Sequence, residues 1–244
     1  MTQPEQVQSD PCAPLGSGEA RPPLRNLDVI HAWLGALKGR SVLDVGCGRG
    51  GVARMLAAEG AEVTGIDPLA EAVAEASATV PEARFQVAGA EALPFADGSF
   101  DAVVIINALH HVPGPLMGGA LEEAARVSRG PVLVIEPLAA GSFFETMRPV
   151  EDETDIRAAA QAALETAVAS GRLRLVRAGE YDDLRRFADL DGFLARVVSV
   201  DPARAKTAAS ARDEVAALMA RWGVPDGDMI LFAQPHRAHF LTRG

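Results

Sequence analysis

The chain has 244 residues, of which 48% are apolar, 23% charged and 5% aromatic, and this is the composition of a globular protein with a mainly aliphatic core. Its 23 Lys and Arg are outnumbered by 33 Asp and Glu, so the formal net charge is −10. Such an acidic chain is a poor partner for nucleic acid or for an anionic membrane surface, and no apolar run approaches the roughly 18 residues of a membrane-spanning helix.

Residues 1–24 are rich in Pro, Gly, Gln and Ser, and this composition predicts a mobile N-terminal arm followed by a single domain over residues 25–244. The arm lacks the basic and apolar regions of a secretory signal peptide. The two cysteines, Cys12 and Cys47, are interpreted as free thiols, because a disulfide from the arm would obstruct the glycine-rich loop around Cys47. These features favour a cytoplasmic protein that does not insert into membranes.

Apolar residues at helical spacing predict a first helix over residues 24–39, ending at Gly39. Short apolar runs and amphipathic segments then alternate up to residue 137. Apolar strands separated by helices are typical of a Rossmann-like α/β sandwich of three layers with a mostly parallel sheet. The predicted strands cover residues 41–46, 61–67, 83–90, 101–109 and 131–137, and the predicted helices cover 51–60, 68–80 and 116–130.

The second half of the chain has a different pattern. Residues 143–171 predict amphipathic helix, residues 172–187 a strand that leads into a polar loop, and residues 189–222 two further helices. A helical insert within residues 141–225 would lie over the carboxyl ends of the strands, where ligands bind in such sheets. The last apolar stretch, MILFAQPHRAHFLTR, has the character of one or two strands.

The glycine-rich segment VLDVGCGRGG, residues 42–51, satisfies the pattern G-x-G-x-x-G, and it has two interpretations. A dinucleotide site would place a pyrophosphate on the loop and ribose hydroxyls on Asp67, at the end of the next strand. Asp44 argues against this first interpretation, because a carboxylate at this position would repel a pyrophosphate. The same carboxylate suits a ligand with an ammonium and a sulfonium group, such as S-adenosylmethionine.

Four segments together resemble the class I S-adenosylmethionine-dependent methyltransferases: VLDVGCGRG, GAEVTGIDPL, AEALPFADGSFDAVVIINALHHV and LEEAARVSRGPVLVIEP. The similarity is strongest to the small-molecule branch that includes the ubiquinone and menaquinone C-methyltransferases, and it runs from about residue 25 to residue 140. It implies a mostly parallel seven-stranded sheet with a C-terminal antiparallel hairpin. It also implies S-adenosyl-L-methionine as the cofactor and S-adenosyl-L-homocysteine as the product.

The resemblance also implies where the cofactor would bind. The turn after the first strand would lie under the methionine part, Asp67 and Pro68 would hold the ribose, and the segment that opens EALPF would lie at the adenine. Relatives have an aspartate where this chain has Gly89, and a small hydroxyl residue where it has Arg49. The implied cofactor-binding residues are Asp44, Gly46, Cys47, Gly48, Asp67, Pro68, Ala90, Glu91 and Asn107.

Methyl transfer requires alignment of acceptor, methyl and sulfur, and it needs a base only where the acceptor loses a proton. His111, directly after the fourth strand, is the candidate base, and Glu136 at the end of the fifth strand is the second candidate catalytic residue. The alternative for each is a structural role in its loop. His236 and His239 lie in a strand-like context that would place them on opposite faces, so we expect no metal site.

Two further features concern the acceptor. Phe143, Phe144 and Met147 favour an apolar wall, whereas Arg148 or Arg157 would clamp an acceptor carboxylate; solvated arginines are the simpler interpretation of these two. The sequence therefore predicts a methyltransferase for a small, partly apolar metabolite. A nicotinamide oxidoreductase and a non-catalytic cofactor-binding subunit are the alternatives, and the oligomeric state, monomer or homodimer, stays open.

Overall fold

The computed structural model describes residues 20–244. Across these residues the chain forms eight strands and nine α-helices. The strands are β1 (Ser41–Val45), β2 (Glu62–Asp67), β3 (Arg84–Val87), β4 (Ala102–Ile106), β5 (Val132–Pro137), β6 (Leu173–Phe187), β7 (Val224–Asp226) and β8 (Met229–Arg243).

The helices cover both faces of the sheet and its carboxyl edge. Short 3-10 helices at Leu109–His111 and Pro202–Arg204 accompany them. The α-helices are α1 (Asn26–Leu34), α2 (Gly51–Ala58), α3 (Ala70–Thr79), α4 (Gly114–Val127), α5 (Gly141–Met147), α6 (Thr154–Ala169), α7 (Leu190–Val200), α8 (Ala205–Ser210) and α9 (Arg212–Trp222). None of the helices in this described range is both long and apolar enough to cross a bilayer.

All strands join one sheet in the order β3-β2-β1-β4-β5-β8-β6, and the short β7 pairs with β8. β1 to β5 pair in parallel, whereas β8 is antiparallel to both β5 and β6. The prediction of a Rossmann-like, mostly parallel sheet with antiparallel C-terminal strands is therefore confirmed, with β7 as an eighth strand. In this topology the carboxyl ends of β1, β2, β4 and β5 share one edge, which is where the site forms.

The core lies on both sides of the sheet because the central strands are buried on both faces. All five residues of β4 are buried, as expected for a parallel strand covered by helices on each side. α4 and α6 pack on one face, and α1 and α2 pack on the other. Alternate residues of β1 divide between these two clusters, with Leu43 on the first face and Val42 on the second.

The prediction of a polar loop in the second half of residues 172–187 is wrong, because β6 continues to Phe187 as a 15-residue strand. The polar side chains of this strand have partners that are distant in sequence. Glu180 pairs with Arg237 of β8 at 2.7 Å, and Asp182 pairs with Arg21 at 2.8 Å. β6 therefore divides the predicted insert into two groups of helices, with α5 and α6 before it and α7 to α9 after it.

A third, smaller core joins α5 to α7, α8 and α9. Phe143 of α5, Phe187 of β6 and Phe193 of α7 contact one another, with ring centroids 5.0 to 6.0 Å apart. Phe232 of β8 completes the cluster at 5.4 Å from Phe193. Such aromatic pairs add to the stability from area burial, so the helices form a packed roof beside the sheet edge.

The described part of the predicted arm, residues 20–24, runs along the edge of β6. Pro23 forms a parallel bridge with Asp182, and Leu24 N donates a hydrogen bond to the Asp182 carbonyl at 3.1 Å. Residues 1–19, including Cys12, lie outside the described residues. α1 ends at Leu34 instead of Gly39, because Gly35 adopts φ 71°, a left-handed conformation that stops the helix.

Candidate active site

The turn between β1 and α2 is built on glycines. Gly46, Gly48 and Gly50 have φ values of 75°, 49° and 83°, in the left-handed region that side chains disfavour. A Cβ atom at Gly46 would also overlap the side chain of Ala108, in the loop after β4. Position 46 therefore requires glycine for two reasons, whereas a Cβ atom at Gly48 would have no heavy atom within 4 Å.

Asp44 lies in β1 directly before this turn and is 1% exposed. Its Oδ2 atom has no hydrogen-bond partner among the described residues. Burial raises the pKa of Asp44 to about 7; a backbone hydrogen bond from Ala53 opposes this effect, and the charge of Asp67 adds to it. A buried carboxylate oxygen without a partner is costly, and the ammonium group of a bound amino acid moiety would satisfy it.

Asp67 ends β2 and holds two backbone segments together. Its Oδ2 accepts a hydrogen bond from Gly48 N and its Oδ1 accepts one from Leu69 N, both at 2.9 Å. Each carboxylate oxygen keeps further lone pairs that can accept hydrogen bonds from the hydroxyls of a ribose. Pro68 directly follows, so the residues predicted to hold a ribose lie next to the glycine turn.

Cys47 contributes to the turn through its backbone. Its N–H donates to the Ile66 carbonyl at 2.9 Å, and its side chain is 6% exposed. Burial raises the pKa of the Cys47 thiol to about 12, with further contributions from Asp44 and Asp67. The thiol is therefore protonated at neutral pH, and it is a packing group rather than a nucleophile.

The segment around Gly89 lies beside the end of β2, since Ala88 N donates to the Asp67 carbonyl at 3.1 Å. A Cβ atom at Gly89 would be 2.5 Å from Oε1 of Glu91. The Glu91 carboxylate thus occupies the space into which an acidic side chain at position 89 would project. Ala90, between them, is half-buried. Arg49 is drawn away from the cleft, in an ion pair with Glu75 of α3.

Asn107 follows β4 and is, in the described chain, the single non-glycine residue with positive φ, 53°. Asparagine tolerates this conformation better than other side chains. Its backbone N–H donates to Ile135 at 2.8 Å, and its Oδ1 lies 2.9 Å from Nε2 of the buried His236. Burial lowers the pKa of His236 to about 3, so the ring is neutral and holds Asn107 at the sheet edge.

Glu136, which precedes Pro137 at the end of β5, is fully buried and organises the loop after β4. Its Oε1 accepts hydrogen bonds from Ala108 N at 2.9 Å and from Leu109 N at 2.8 Å, and its Oε2 lies 2.5 Å from His110 Nδ1. These contacts give Glu136 the role of a positioning residue for the 3-10 helix that carries His111. Its assignment as a catalytic group stays a prediction.

A cavity of about 160 Å³ opens at the carboxyl ends of β4 and β5. Asn107 and His111 line it from the sheet, and Phe143 and Met147 line it from α5. The surrounding protein lowers the pKa of His111 to about 4, and His110 adds to this, so the His111 ring is neutral at pH 7. The remaining lining residues are His110, Pro137, Glu153, Arg157, Arg185, Arg196, Val197, Val200 and Arg204.

Tyr181, a buried side chain outside the cavity lining, donates to Asn26 Oδ1 at 2.6 Å. The two arginines that the sequence offered as a carboxylate clamp have other partners. Arg148 forms an ion pair with Glu145 and does not line the cavity. Arg157 lines it, but its guanidinium is held by Glu153 at 2.7 Å and by two further oxygens.

The sequence did not identify the remaining arginines of the cavity. Arg185 lies in β6, which the sequence pattern assigned in part to a polar loop, and Arg196 lies on α7. Arg204 follows α7 in a short 3-10 helix. A surplus of arginine over acid in residues 185–204 is the signal that was available, but only the fold brings these side chains to one cavity.

One group of metal-type donors also occurs in the described range. One ligand atom from each of His110, His111 and Glu153 lies within 4.8 Å of the others. Two of these three groups already have partners, since His110 contacts Glu136, and Glu153 pairs with Arg157 at 2.7 Å and Arg204 at 2.9 Å. Two guanidinium groups on the only carboxylate make this cluster unfavourable for a cation.

Residues 42–130 match the model of a family described as a methyltransferase domain. A ubiquinone biosynthesis O-methyltransferase of Alkalilimnicola ehrlichii is 42% identical over 120 residues, which are 45% of this chain and 47% of that protein. A 2-methyl-6-phytyl-1,4-hydroquinone methyltransferase of Synechocystis is 40% identical over 119 residues, or 45% of this chain and 37% of that protein. The chain thus spans less than half the length of these curated relatives.

The fold also matches solved structures over most of the chain. A putative methyltransferase of Bacillus halodurans superposes with a TM-score of 0.57 at 20% identity, covering 86% of this chain and 95% of the other. This likeness concerns the fold, whereas the family model covers the glycine turn, Asp67, Asn107 and His111. The orphaned oxygen of Asp44 and the open glycine turn fit an amino acid and nucleoside ligand. Residues 42–130 therefore correspond to the methyltransferase domain that the family model describes, and the chain resembles the class I S-adenosylmethionine-dependent methyltransferases.

Proposed function

We propose that the protein is an S-adenosylmethionine-dependent methyltransferase whose acceptor is a small, partly apolar molecule bound in the cavity beside Asn107. The observation that supports this most is the buried carboxylate of Asp44. Its Oδ2 has no partner among the described residues, and it lies next to a glycine turn and to Asp67. An ammonium group on Asp44 and a ribose on Asp67 would satisfy both carboxylates with a single ligand.

The residues of the chain have distinct roles in this proposal. When bound, the cofactor supplies an electrophilic methyl group on a sulfonium. Asn107 links the cofactor turn to the cavity, because it lies at the end of β4 between the two. The roof of α5 and α7 excludes water and holds the acceptor in line, which is a major source of rate in such displacements. His111, neutral at pH 7, is available to accept a proton from an acceptor that must lose one.

Two observations support a partly apolar acceptor. The two curated relatives described above are named for methyl transfer to ubiquinone precursors and to a phytylated hydroquinone. Phe143 and Met147 give the cavity of this chain an apolar wall, which suits a ring or a short hydrocarbon body. The acceptor atom, oxygen, nitrogen or carbon, follows from the products of the test below.

A nicotinamide oxidoreductase that uses the glycine turn is less favourable. Asp44 would lie beside a pyrophosphate with no cation between them, and this contact costs more as water is excluded. A non-catalytic cofactor-binding subunit would keep every feature of the cofactor cleft. It differs from an enzyme in turnover alone, so the test has to measure both binding and methyl transfer.

Calorimetric titration of the full chain with S-adenosylhomocysteine and, separately, with NADH tests the cofactor assignment. We expect micromolar binding of the first only, lost in Asp67→Ala and weakened in Asp44→Asn. Asp228→Asn is the matched control, since Asp228 is exposed. Transfer of labelled methyl from S-adenosylmethionine to a pool of small acceptors then tests turnover. Tight NADH binding without a response to S-adenosylhomocysteine would overturn the proposal, and cofactor binding without any methyl transfer would favour the non-catalytic alternative.

A further inference from the structure

The charges around the cavity are unlike those of the whole chain. The protein has a formal net charge of −10, yet the lining contains four arginines and one carboxylate, Glu153. Two more acids, Asp183 and Glu151, form ion pairs with lining arginines from beside the cavity. These three acids pair with Arg157, Arg185 and Arg204, and a fourth carboxylate, Glu136, contacts His110. One lining arginine is therefore left as a candidate partner for an anionic ligand.

The ion pairs show which lining arginines have guanidinium N–H groups that donate to no described residue. Arg157 is bound to Glu153, and Arg204 pairs with both Glu151 and Glu153. Arg196 has no ion pair within residues 20–244, and its guanidinium donates only one hydrogen bond there, to Ser199 Oγ at 3.2 Å. Among the described residues, Arg196 is therefore the lining arginine without an ion pair, and its side chain is exposed at the rim of the cavity.

Arg185 is the second arginine with free donors. Its Nε donates to Asp183 Oδ2 at 3.0 Å, whereas its terminal nitrogens make no hydrogen bond to any described residue. Its guanidinium carbon lies 4.3 Å from the centroid of the Phe143 ring, so the group is held in place by stacking. Partial desolvation at the cavity rim lowers the pKa of Arg196, the nearby charge of Arg185 lowers it further, and Asp183 opposes both effects. An anion between the two would relieve this repulsion.

The size and the remaining lining limit what the anion is attached to. A cavity of about 160 Å³ is smaller than the roughly 300–1,000 Å³ of pockets for drug-sized ligands, so it suits a single ring or a short chain. Phe143, Met147 and Val197 supply apolar contacts. One arginine without an ion pair beside apolar walls fits a monoanion on a hydrocarbon body, whereas a phosphate would bring up to two negative charges.

We propose that the methyl acceptor is a small carboxylic acid, whose carboxylate is bound by Arg185 and Arg196 while its apolar body packs on Phe143 and Val197. This inference rests on the proposed function. The arginines come from β6 and α7, whereas Asn107 and His111 come from the loop after β4. A molecule that fills the cavity therefore contacts the anion-binding arginines and the residues nearest the cofactor at once.

Binding of benzoate and of its neutral analogue benzamide tests the proposal, measured by calorimetry on the full chain with and without S-adenosylhomocysteine. We expect benzamide to bind about tenfold or more weakly than benzoate, the loss typical of one charge-assisted hydrogen bond. Arg196→Gln should weaken benzoate binding to a similar extent, and Arg196→Lys, which keeps the charge, should retain most of the affinity. Arg186→Gln is the control, because Arg186 lies on the same strand as Arg185 but pairs with Asp226 outside the cavity.

The outcomes separate this inference from the proposed function. Binding of S-adenosylhomocysteine with equal affinities for benzoate and benzamide, or with no benzoate binding, would overturn the acid acceptor and leave the methyltransferase assignment intact. Tighter binding of inorganic phosphate than of benzoate, lost in Arg196→Gln, would also overturn it, in favour of a phosphorylated ligand. Discrimination between benzoate and benzamide in a protein that fails to bind S-adenosylhomocysteine would support the anion site and refute the cofactor assignment.

Discussion

Replacement of Asp44 by asparagine distinguishes the effect of the buried carboxylate on stability from its proposed role in cofactor binding. Asp44 is 1% exposed, and its pKa is raised from 3.8 to about 7. The pKa of Asp44 is higher in the folded state than in the unfolded state. The free energy of unfolding of the wild type therefore falls as the pH rises between these two pKa values, because burial penalises the charged carboxylate. The Asp44→Asn variant has no such charge, so its stability relative to the wild type should rise with pH.

The size of this effect follows from the pKa shift. Between pH 5 and about 7, Asp44 is largely neutral in the folded state and ionised in the unfolded state, so each pH unit changes the free energy of unfolding by about 1.4 kcal/mol. Over roughly two pH units the difference between variant and wild type should change by about 2.5 kcal/mol. The penalty for burying an asparagine amide with one unsatisfied atom is independent of pH, and it cancels in this difference.

Urea unfolding of both proteins at pH 5, 6, 7 and 8, followed by circular dichroism, measures this difference. The exposed Asp228→Asn serves as the control, and its free energy of unfolding should stay parallel to that of the wild type. If the difference in free energy of unfolding between Asp44→Asn and the wild type is the same at pH 5 and pH 8, the inference that burial raises the pKa of Asp44 is refuted. The same variant should bind S-adenosylhomocysteine more weakly at pH 8, so the substitution is expected to stabilise the protein while it impairs the site.

Three further substitutions test the scaffold of the site. Gly46→Ala should destabilise the protein by about 2 kcal/mol or more, because it combines positive φ with a clash against Ala108, and urea unfolding measures this loss. Glu136→Gln should cost about 1–3 kcal/mol through its buried hydrogen bonds and should shift the side-chain NMR signals of the loop after β4; unchanged signals would contradict the positioning role. Tyr181→Phe should cost about 1 kcal/mol through the lost bond to Asn26, with cofactor affinity unchanged as the internal control.

The first half of the fold was predictable because its signals are local. β1, β2, β4 and β5 are apolar runs bounded by glycine, proline or polar turns, and the helices between them have the length of parallel crossovers. The glycine turn and the acids at 44 and 67 follow from the same local chemistry. Each residue there interacts with neighbours whose spacing is fixed by the parallel topology, so the pattern determines the position.

The second half was less predictable because its polar residues depend on distant partners. EYDDLRR in β6 looks like a loop, yet its charges are balanced by Arg21, 161 residues before Asp182, and by Arg237 of β8. Arg185 and Arg196 look like solvated surface residues until the fold turns them towards one cavity. Local propensity carries no information about such contacts, and these are the residues on which the proposed acceptor binding depends.

The path of β6 through the helical region has an evolutionary consequence. Residues 42–130, which match the methyltransferase domain, carry the glycine turn, Asp44 and Asp67, whereas every arginine of the cavity comes from residues 157–204. A change in the charge or length of a side chain on β6 or α7 therefore alters the acceptor cavity while the glycine turn and the two aspartates stay as they are. Divergence of acceptor preference can proceed by single substitutions in the roof, at constant affinity for the methyl donor.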